Sequence, residues 1–300
     1  MIIDAHMHLA ESSGFSAETY GKYGMSFPEK TTDVDFLVES YRRAGVEKAV
    51  AMGQAMRRIF DTSFGEEYVM ECYHKYPDFF IPFCSVEAVD KGGRFNKKDF
   101  EYLKQAVLEN GCRGVLMAPP FSHYHSNVNA AYPFYEFADE QGIVVQFHHS
   151  AQIGKAILAP AEYTSLYDLN EIVLDFPNLR INVEHLGYPW AEQLFTQMAT
   201  DENLYTDLAM CYDREVSTVW NLVLAKEYGV IGQVMFATDF VACNFDCFGA
   251  DPYDDVMRWV EYVTKKINAI CKASGWPLFT GKEIDGIMYQ NAARLHRIQV

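Results

Sequence analysis

Short runs of apolar and β-branched residues alternate along the chain with longer stretches in which apolar positions recur every three or four residues. Eight short runs can be counted, at residues 1–9 (MIIDAHMHL), 47–53, 79–86, 112–119, 142–150 (GIVVQFHHS), 179–187 (LRINVEHLG), 203–210 and 233–240 (QVMFATDF). Each reads as a buried parallel strand. Between them, residues 33–44 (DVDFLVESYRRA) open on an N-cap aspartate and place Val34, Leu37, Val38 and Tyr41 at helical spacing. Similar patterns occupy 64–75, 97–110, 130–141, 165–176, 190–198, 214–228 and 253–273. The phrases EQGIVV and EYGVIG place a glycine where a helix gives way to the next strand. Eight strands alternating with eight helices predict an α/β fold, a (β/α)8 TIM barrel spanning residues 1–300 as one catalytic domain. Two loops exceed the plain repeat, at about 11–32 and 119–129, and both leave the C-terminal ends of strands, where this fold builds active sites.

Composition narrows the function. A 49% hydrophobic, 22% charged chain with 15% aromatic residues supplies one large core. The net charge of −16, with only 25 basic residues spread along the sequence, excludes a nucleic-acid groove and disfavours anionic membranes. No apolar run approaches the roughly 20 residues of a membrane helix, and the N-terminus lacks signal-peptide character, so the expectation is a cytoplasmic protein with a small-molecule partner. An anionic substrate would need a local basic group to offset the acidic field. Seven cysteines, an odd number, suggest reduced structural thiols, and the pair Cys243 and Cys247 is open to either metal chemistry or loop packing.

His6 and His8 are two apart on the first strand and therefore share a face. Ile3, Ala5 and Met7 are expected on the other face, which turns the two imidazoles into the barrel. Taken alone, the pair fits either two ligands of one divalent ion or satisfied core histidines. His148, His185 and Asp239 close the fifth, sixth and eighth strands, so four of eight strands end in a metal-capable residue.

IDAHMH, GIVVQFHHS, FPNLRINVEHLGYPW, MFATDF and the closing IMYQNAARLHRI together resemble the amidohydrolase superfamily, over nearly the whole chain. The similarity is to its amidohydrolase-related branch, which includes hydrolases, lactonases and decarboxylases of the aminocarboxymuconate-semialdehyde type. The resemblance implies that His6, His8, His148 and Asp239 hold one divalent ion, with His185 beside it as an acid/base or polarising group and His149 structural. Some relatives bridge a second metal with a carboxylated lysine or an acid after the fourth strand. Here Met117 stands in that region, so one ion is expected.

Imidazole and carboxylate donors without thiolate suit Zn2+, ahead of Mn2+, Fe2+ or Co2+. Asp239 and His185 are then the expected catalytic pair, for hydrolysis of a small carbonyl or carboxylate compound such as a lactone, amide or ring-cleavage product. Non-oxidative decarboxylation uses the same parts and is the alternative; a catalytically inactive ligand-binding barrel is the second. For substrate binding the candidates are Arg57 and Arg58 (a carboxylate clamp or surface arginines), His123 and His125 (pocket or loop duty), and Tyr188 and Trp190 (stacking on substrate or ordinary packing). Asp207 and Arg214 are weaker candidates. Glu184 is expected to face the helices. A homodimer is expected by analogy only.

Overall fold

In a computed structural model, which describes residues 1–10, 33–60, 62–64, 66–150, 159–241 and 251–299, the eight apolar runs become the staves of a parallel sheet. They are β1 (Ile2–His8), β2 (Val46–Met52), β5 (Phe80–Val86), β6 (Gly114–Met117), β7 (Val144–Phe147), β8 (Arg180–Val183), β9 (Leu204–Asp207) and a last stave in two pieces, β10 (Val234–Met235) and β11 (Phe240–Val241). β3 (Gln54–Met56) and β4 (Thr62–Phe64) form a small antiparallel hairpin after β2. β10 pairs with β9, and β11 with β1. Between the two pieces Ala5 N donates to Phe236 O at 3.0 Å and Asp239 N to His6 O at 2.9 Å, so residues 234–241 close the ring of eight. No described helix is long and apolar enough to cross a membrane.

Helices wrap the ring where the 3.6-residue period placed them. Val34–Arg43 starts on Asp33, whose side chain accepts from the amides of Asp35 and Phe36. Tyr132–Gln141 stops at Gly142, in a left-handed conformation (φ 60°) that costs a residue without Cβ little. Pro252–Glu261 and Ile267–Ser274 form one long helix through a π-helical turn.

Alternation along each stave separates two cores. Ile2, Met7, Ala49, Val115, Met117, Val145, Phe147, Ile181, Val183 and Phe236 pack outward against helices. Ile3, Ala5, Val50, Met52, Ile81, Phe83, Leu116, Val144, Tyr205, Met235 and Ala237 fill the lumen. β1 changes sides partway: Ile3 and Ala5 are in the lumen, but Met7 is in the outer core. The pairing with β2 shows why, for Asp4 opposes Ala49 while Met7 opposes Ala51, a bulge of one extra residue. The expectation that Ile3, Ala5 and Met7 share one face is therefore corrected. The bulge shifts the phase, and only because of it do His6 and His8 join the lumen above Ile3 and Ala5. Asp4 fastens it: Oδ1 accepts from His6 N at 3.2 Å and Thr238 N at 3.0 Å, and Oδ2 from Thr238 Oγ1 at 2.6 Å.

The C-terminal segment closes the lumen's N-terminal end. Ala292, Ala293 and Leu295 join the inner core, and the His296 ring meets Phe83 edge to face at 5.7 Å. Arg113 donates to His296 O at 2.8 Å, and Arg180 binds Leu295 O and Gly142 O. Asn291 Nδ2 reaches Val234 O at 2.7 Å, fixing this segment to the last stave.

Candidate metal centre

His6 and His8 meet at the C-terminal end of the lumen with their Nε2 atoms 3.1 Å apart. Asp239 arrives from the last stave, where its own left-handed backbone (φ 53°) turns the chain between β10 and β11. Its Oδ1 lies 3.3 Å from each of those nitrogens. Three donor atoms thus form a nearly equilateral triangle with edges of 3.1, 3.3 and 3.3 Å. A tetrahedral ion with metal–ligand bonds of about 2.0–2.1 Å separates neighbouring donors by about 3.3 Å.

On the sixth stave, Asn182 and Glu184 alternate with outward Ile181 and Val183, so both face the lumen. The expectation that Glu184 faces the helices is corrected by this register. His185 would then point outward, but it adopts a left-handed backbone (φ 58°) that brings its ring back to the lumen, 5.5 Å from His6 between centroids. Glu184 is buried, and its carboxylate spans several rings. Oε1 lies 3.4 Å from His6 Nε2 and accepts from Gln146 Nε2 at 2.8 Å, while Oε2 lies 2.8 Å from His148 Nδ1 and 3.4 Å from His185 Nε2. Phe121 stacks on His148 at 4.5 Å. Asp207, buried beneath, accepts from Asn182 Nδ2 and from the amides of His185 and Ala209, with Oδ2 3.6 Å from His6 Nδ1.

The donor set fits a cation. Among the described residues, the ion pairs made by Glu184, Asp207 and Asp239 are with imidazoles. His185 Nδ1 donates to Ala209 O at 2.9 Å, so in the neutral ring Nε2 presents a lone pair to the Glu184 and Asp239 carboxylates. Acceptors facing acceptors in a dry site are costly unless a positive charge lies among them. The electrostatics of these groups carry the same message. Burial disfavours a charged His6, yet Glu184, Asp239 and Asp207 outweigh it and raise its pKa to about 10. Burial raises the carboxyls of Glu184 and Asp239, and the surrounding rings overturn that, holding both below the ordinary range. His148 moves down because burial dominates over its bond to Glu184.

The other sequence-derived residues are dispersed. Arg57 Nε sits 3.0 Å from Glu87 Oε2 and the guanidinium also binds Asp99, so its charge is matched by two carboxylates. Arg58 donates its amide to Glu87 and reaches Lys91 O. On the loop after β6, His123 stacks on Tyr163 (5.7 Å, 11°) and His125 Nδ1 lies 3.0 Å from Asp168 Oδ2. Tyr188 lies under the Arg214 guanidinium at 4.0 Å, and Trp190 Nε1 donates to Thr164 Oγ1 at 3.0 Å. His149 is buried on the outer side against Ser126, its pKa pushed down to about 3 by burial. Met117 packs outward, and Leu116 beside it faces the lumen. Cys243, Cys247 and the loop at 11–32 lie outside the described residues. Sequence reasoning missed Glu184, Gln146 and Asn182 as lumen groups, although the polar alternation in "RINVE" carried the signal.

Comparison with known proteins agrees with this architecture. The family profile described as amidohydrolase matches residues 3–298. Among solved structures, an uncharacterised TIM-barrel protein of Bordetella bronchiseptica superimposes with a TM-score of 0.70 at 20% identity, covering 99% of this chain and 98% of that one. A probable 2-pyrone-4,6-dicarboxylic acid hydrolase of Acinetobacter baumannii, with citric acid bound, gives 0.65 at 16% identity, covering 99% of each. A dihydroxybenzoic acid decarboxylase of Polaromonas sp. JS666, with bound manganese and 2-nitroresorcinol, gives 0.63 at 15%, covering 99% and 97%. No curated protein sequence matches the chain. With the profile spanning all but the first two and last two residues, and a closed eight-stave barrel carrying histidines and an aspartate at its mouth, the chain belongs to the amidohydrolase family of enzymes.

Proposed function

We propose that this protein is a metal-dependent hydrolase of small anionic carbonyl compounds, such as lactones, amides or ring-cleavage products. The observation that carries it is the triangle of His6 Nε2, His8 Nε2 and Asp239 Oδ1, with Glu184 and Asp207 beside it. His6, His8 and Asp239 would hold a divalent ion, with His148 as the further imidazole; the donor types favour Zn2+, then Mn2+, Fe2+ or Co2+. When bound, such an ion supplies Lewis acidity, polarising a carbonyl oxygen and acidifying water.

The chain's own groups do the rest. Asp239 Oδ2 lies on the side of His185, 3.9 Å from its Nε2, which places a proton acceptor and a polarising group on one edge of the site. Asp239 takes the proton of the attacking water and returns it to the leaving group. His185, its Nδ1 fixed on Ala209 O, presents Nε2 to the developing oxyanion and stabilises it once protonated. Decarboxylation uses the same pair to deliver a proton to carbon, and the manganese-bearing decarboxylase neighbour supports keeping that reading.

The test is turnover of a panel of carboxylated lactones and aromatic acids by the metal-loaded protein in 18O-labelled water. Label in the product acid is the expected result. Carbon dioxide released without label would replace hydrolysis by decarboxylation, and a protein that binds no divalent ion and turns nothing over would overturn both.

A further inference from the structure

The N-terminal end of the barrel gathers positive charge that no described carboxylate neutralises. Arg113, just before β6, donates to His296 O at 2.8 Å, and Arg180, which opens β8, binds Leu295 O and Gly142 O. Arg297 follows the closing helix Asn291–His296 and sets Nη1 3.6 Å from the point where a Cβ on Gly142 would stand. Two of these arginines thus sit on neighbouring carbonyls of the terminal segment, and two meet at Gly142. Arg113 and Arg297 are exposed and Arg180 is partly buried. Among the described residues none of the three has a carboxylate at ion-pair distance, whereas Arg42, Arg57, Arg94 and Arg258 each have one.

We propose that Arg113, Arg180 and Arg297 form a binding site for a phosphate group, free or carried by a small monoester, at the end of the barrel opposite the metal centre. The inference is independent of the hydrolase reading.

Charge is the first support. A lone unmatched arginine needs no explanation, but three neighbouring cations repel one another, and a chain with 41 acidic residues against 25 basic ones has carboxylates to spare for them. The repulsion is felt at Arg180: burial, then Arg297 and Arg113, bring its pKa down to about 10, so it stays charged at neutral pH. Uncommitted donors are the second. Each guanidinium carries five N–H groups. The backbone takes Arg113 Nη2 and both Nη atoms of Arg180, while the Arg297 side chain makes no hydrogen bond among the described residues. Beside them His296 Nε2 is buried without a partner, in a ring that Arg180 and Arg113 help to keep neutral. Shape selects the class. The two oxygens of a carboxylate share a plane and fill one fork, whereas a phosphate turns its oxygens in several directions and meets several forks at once. Bound there, it ties the starts of the fourth and sixth staves to the terminal segment.

The experiment titrates the full chain with inorganic phosphate, glycerol 3-phosphate and tricarballylate by calorimetry, as purified and again after stripping with chelator. One phosphate per chain should bind, equally in both forms, and the urea midpoint should rise and saturate with it. Tighter binding of the monoester assigns the site to a phosphorylated metabolite, and tighter binding of phosphate assigns it to the free ion. Arg297→Gln should weaken either by at least about tenfold. Tighter binding of tricarballylate than of both phosphates, binding only when metal is present, wild-type affinity in Arg297→Gln, or a midpoint shift that NaCl reproduces at equal ionic strength would each overturn the site. If the variant fails to fold by circular dichroism, phenylglyoxal modification of wild-type Arg113 and Arg297, mapped by mass spectrometry, decides: phosphate should slow it, and unprotected arginines refute the proposal.

Discussion

Replacing Asp4 separates the bulge from the rest of the barrel. Its carboxylate is fully buried and accepts from three donors, His6 N, Thr238 N and Thr238 Oγ1. In Asp4→Ala the hydroxyl can turn to Tyr41 Oη, 3.2 Å away, but the two amides keep no acceptor. An orphaned buried donor costs about 1–3 kcal/mol, so the loss should be about 4 kcal/mol, a large share of the roughly 5–15 kcal/mol that holds a domain together. Asp4→Asn behaves differently. Its Oδ1 still accepts from both amides and its NH2 can donate to Thr238 Oγ1, so the cost should stay within about 1 kcal/mol. Urea denaturation followed by circular dichroism measures both, and elemental analysis reads metal retention on the same samples. Because the bulge aims His6 and His8, Asp4→Ala should lose metal under conditions where it remains folded, and Asp4→Asn should keep it. An alanine variant within 1 kcal/mol of wild type, with full metal content, would refute the claim that Asp4 sets the phase of β1.

Other changes probe other parts of the barrel. His6→Ala and Asp239→Asn should each abolish metal binding, seen by elemental analysis, with turnover lost in parallel; retained metal in both would remove the triangle of His6, His8 and Asp239 from the site. Gly114→Ala places a Cβ against the Phe83 ring on the lumen floor, and overpacking of this kind costs about 1–3 kcal/mol; a neutral midpoint in urea would mean that the floor yields. His296 is held neutral by burial and by Arg180 and Arg113, down to about pH 3, whereas the unfolded ring protonates near 6.5. Between those values only the unfolded chain binds this proton, so the stability it contributes is full above about pH 6.5 and declines with acid by about 1.4 kcal/mol per unit. His296→Phe should flatten the stability–pH slope between pH 4 and 6 by one proton, and an unchanged slope would contradict the assignment.

The staves and helices were legible because both signals are strong: Leu37, Val38 and Tyr41 are buried at helical spacing in residues 33–44, and the apolar run at 143–147 is buried throughout. Departures arose where the backbone leaves its period. A bulge has no composition of its own, so the switch between Ala5 and Met7 could not be read from IDAHMH. The left-handed turn at His185 breaks the alternation that sent Glu184 outward on paper. Split pairing of the last stave depends on closure with β1, a contact between chain ends that local sequence does not announce. Arg57 shows a different limit: its partner Asp99 is 42 residues away, and a free guanidinium cannot be told from a committed one by sequence.

The seal made by Ala292, Ala293, Leu295 and the His296–Phe83 pair stops the lumen at one end, with the candidate reactive groups at the other. Incoming reactant and departing product must then use one doorway in turn, since the opposite end is walled by side chains and by the Arg113 and Arg180 bonds to the terminal backbone. Such traffic makes the product a competitor of the reactant, and its accumulation should raise the apparent KM while leaving the limiting rate unchanged.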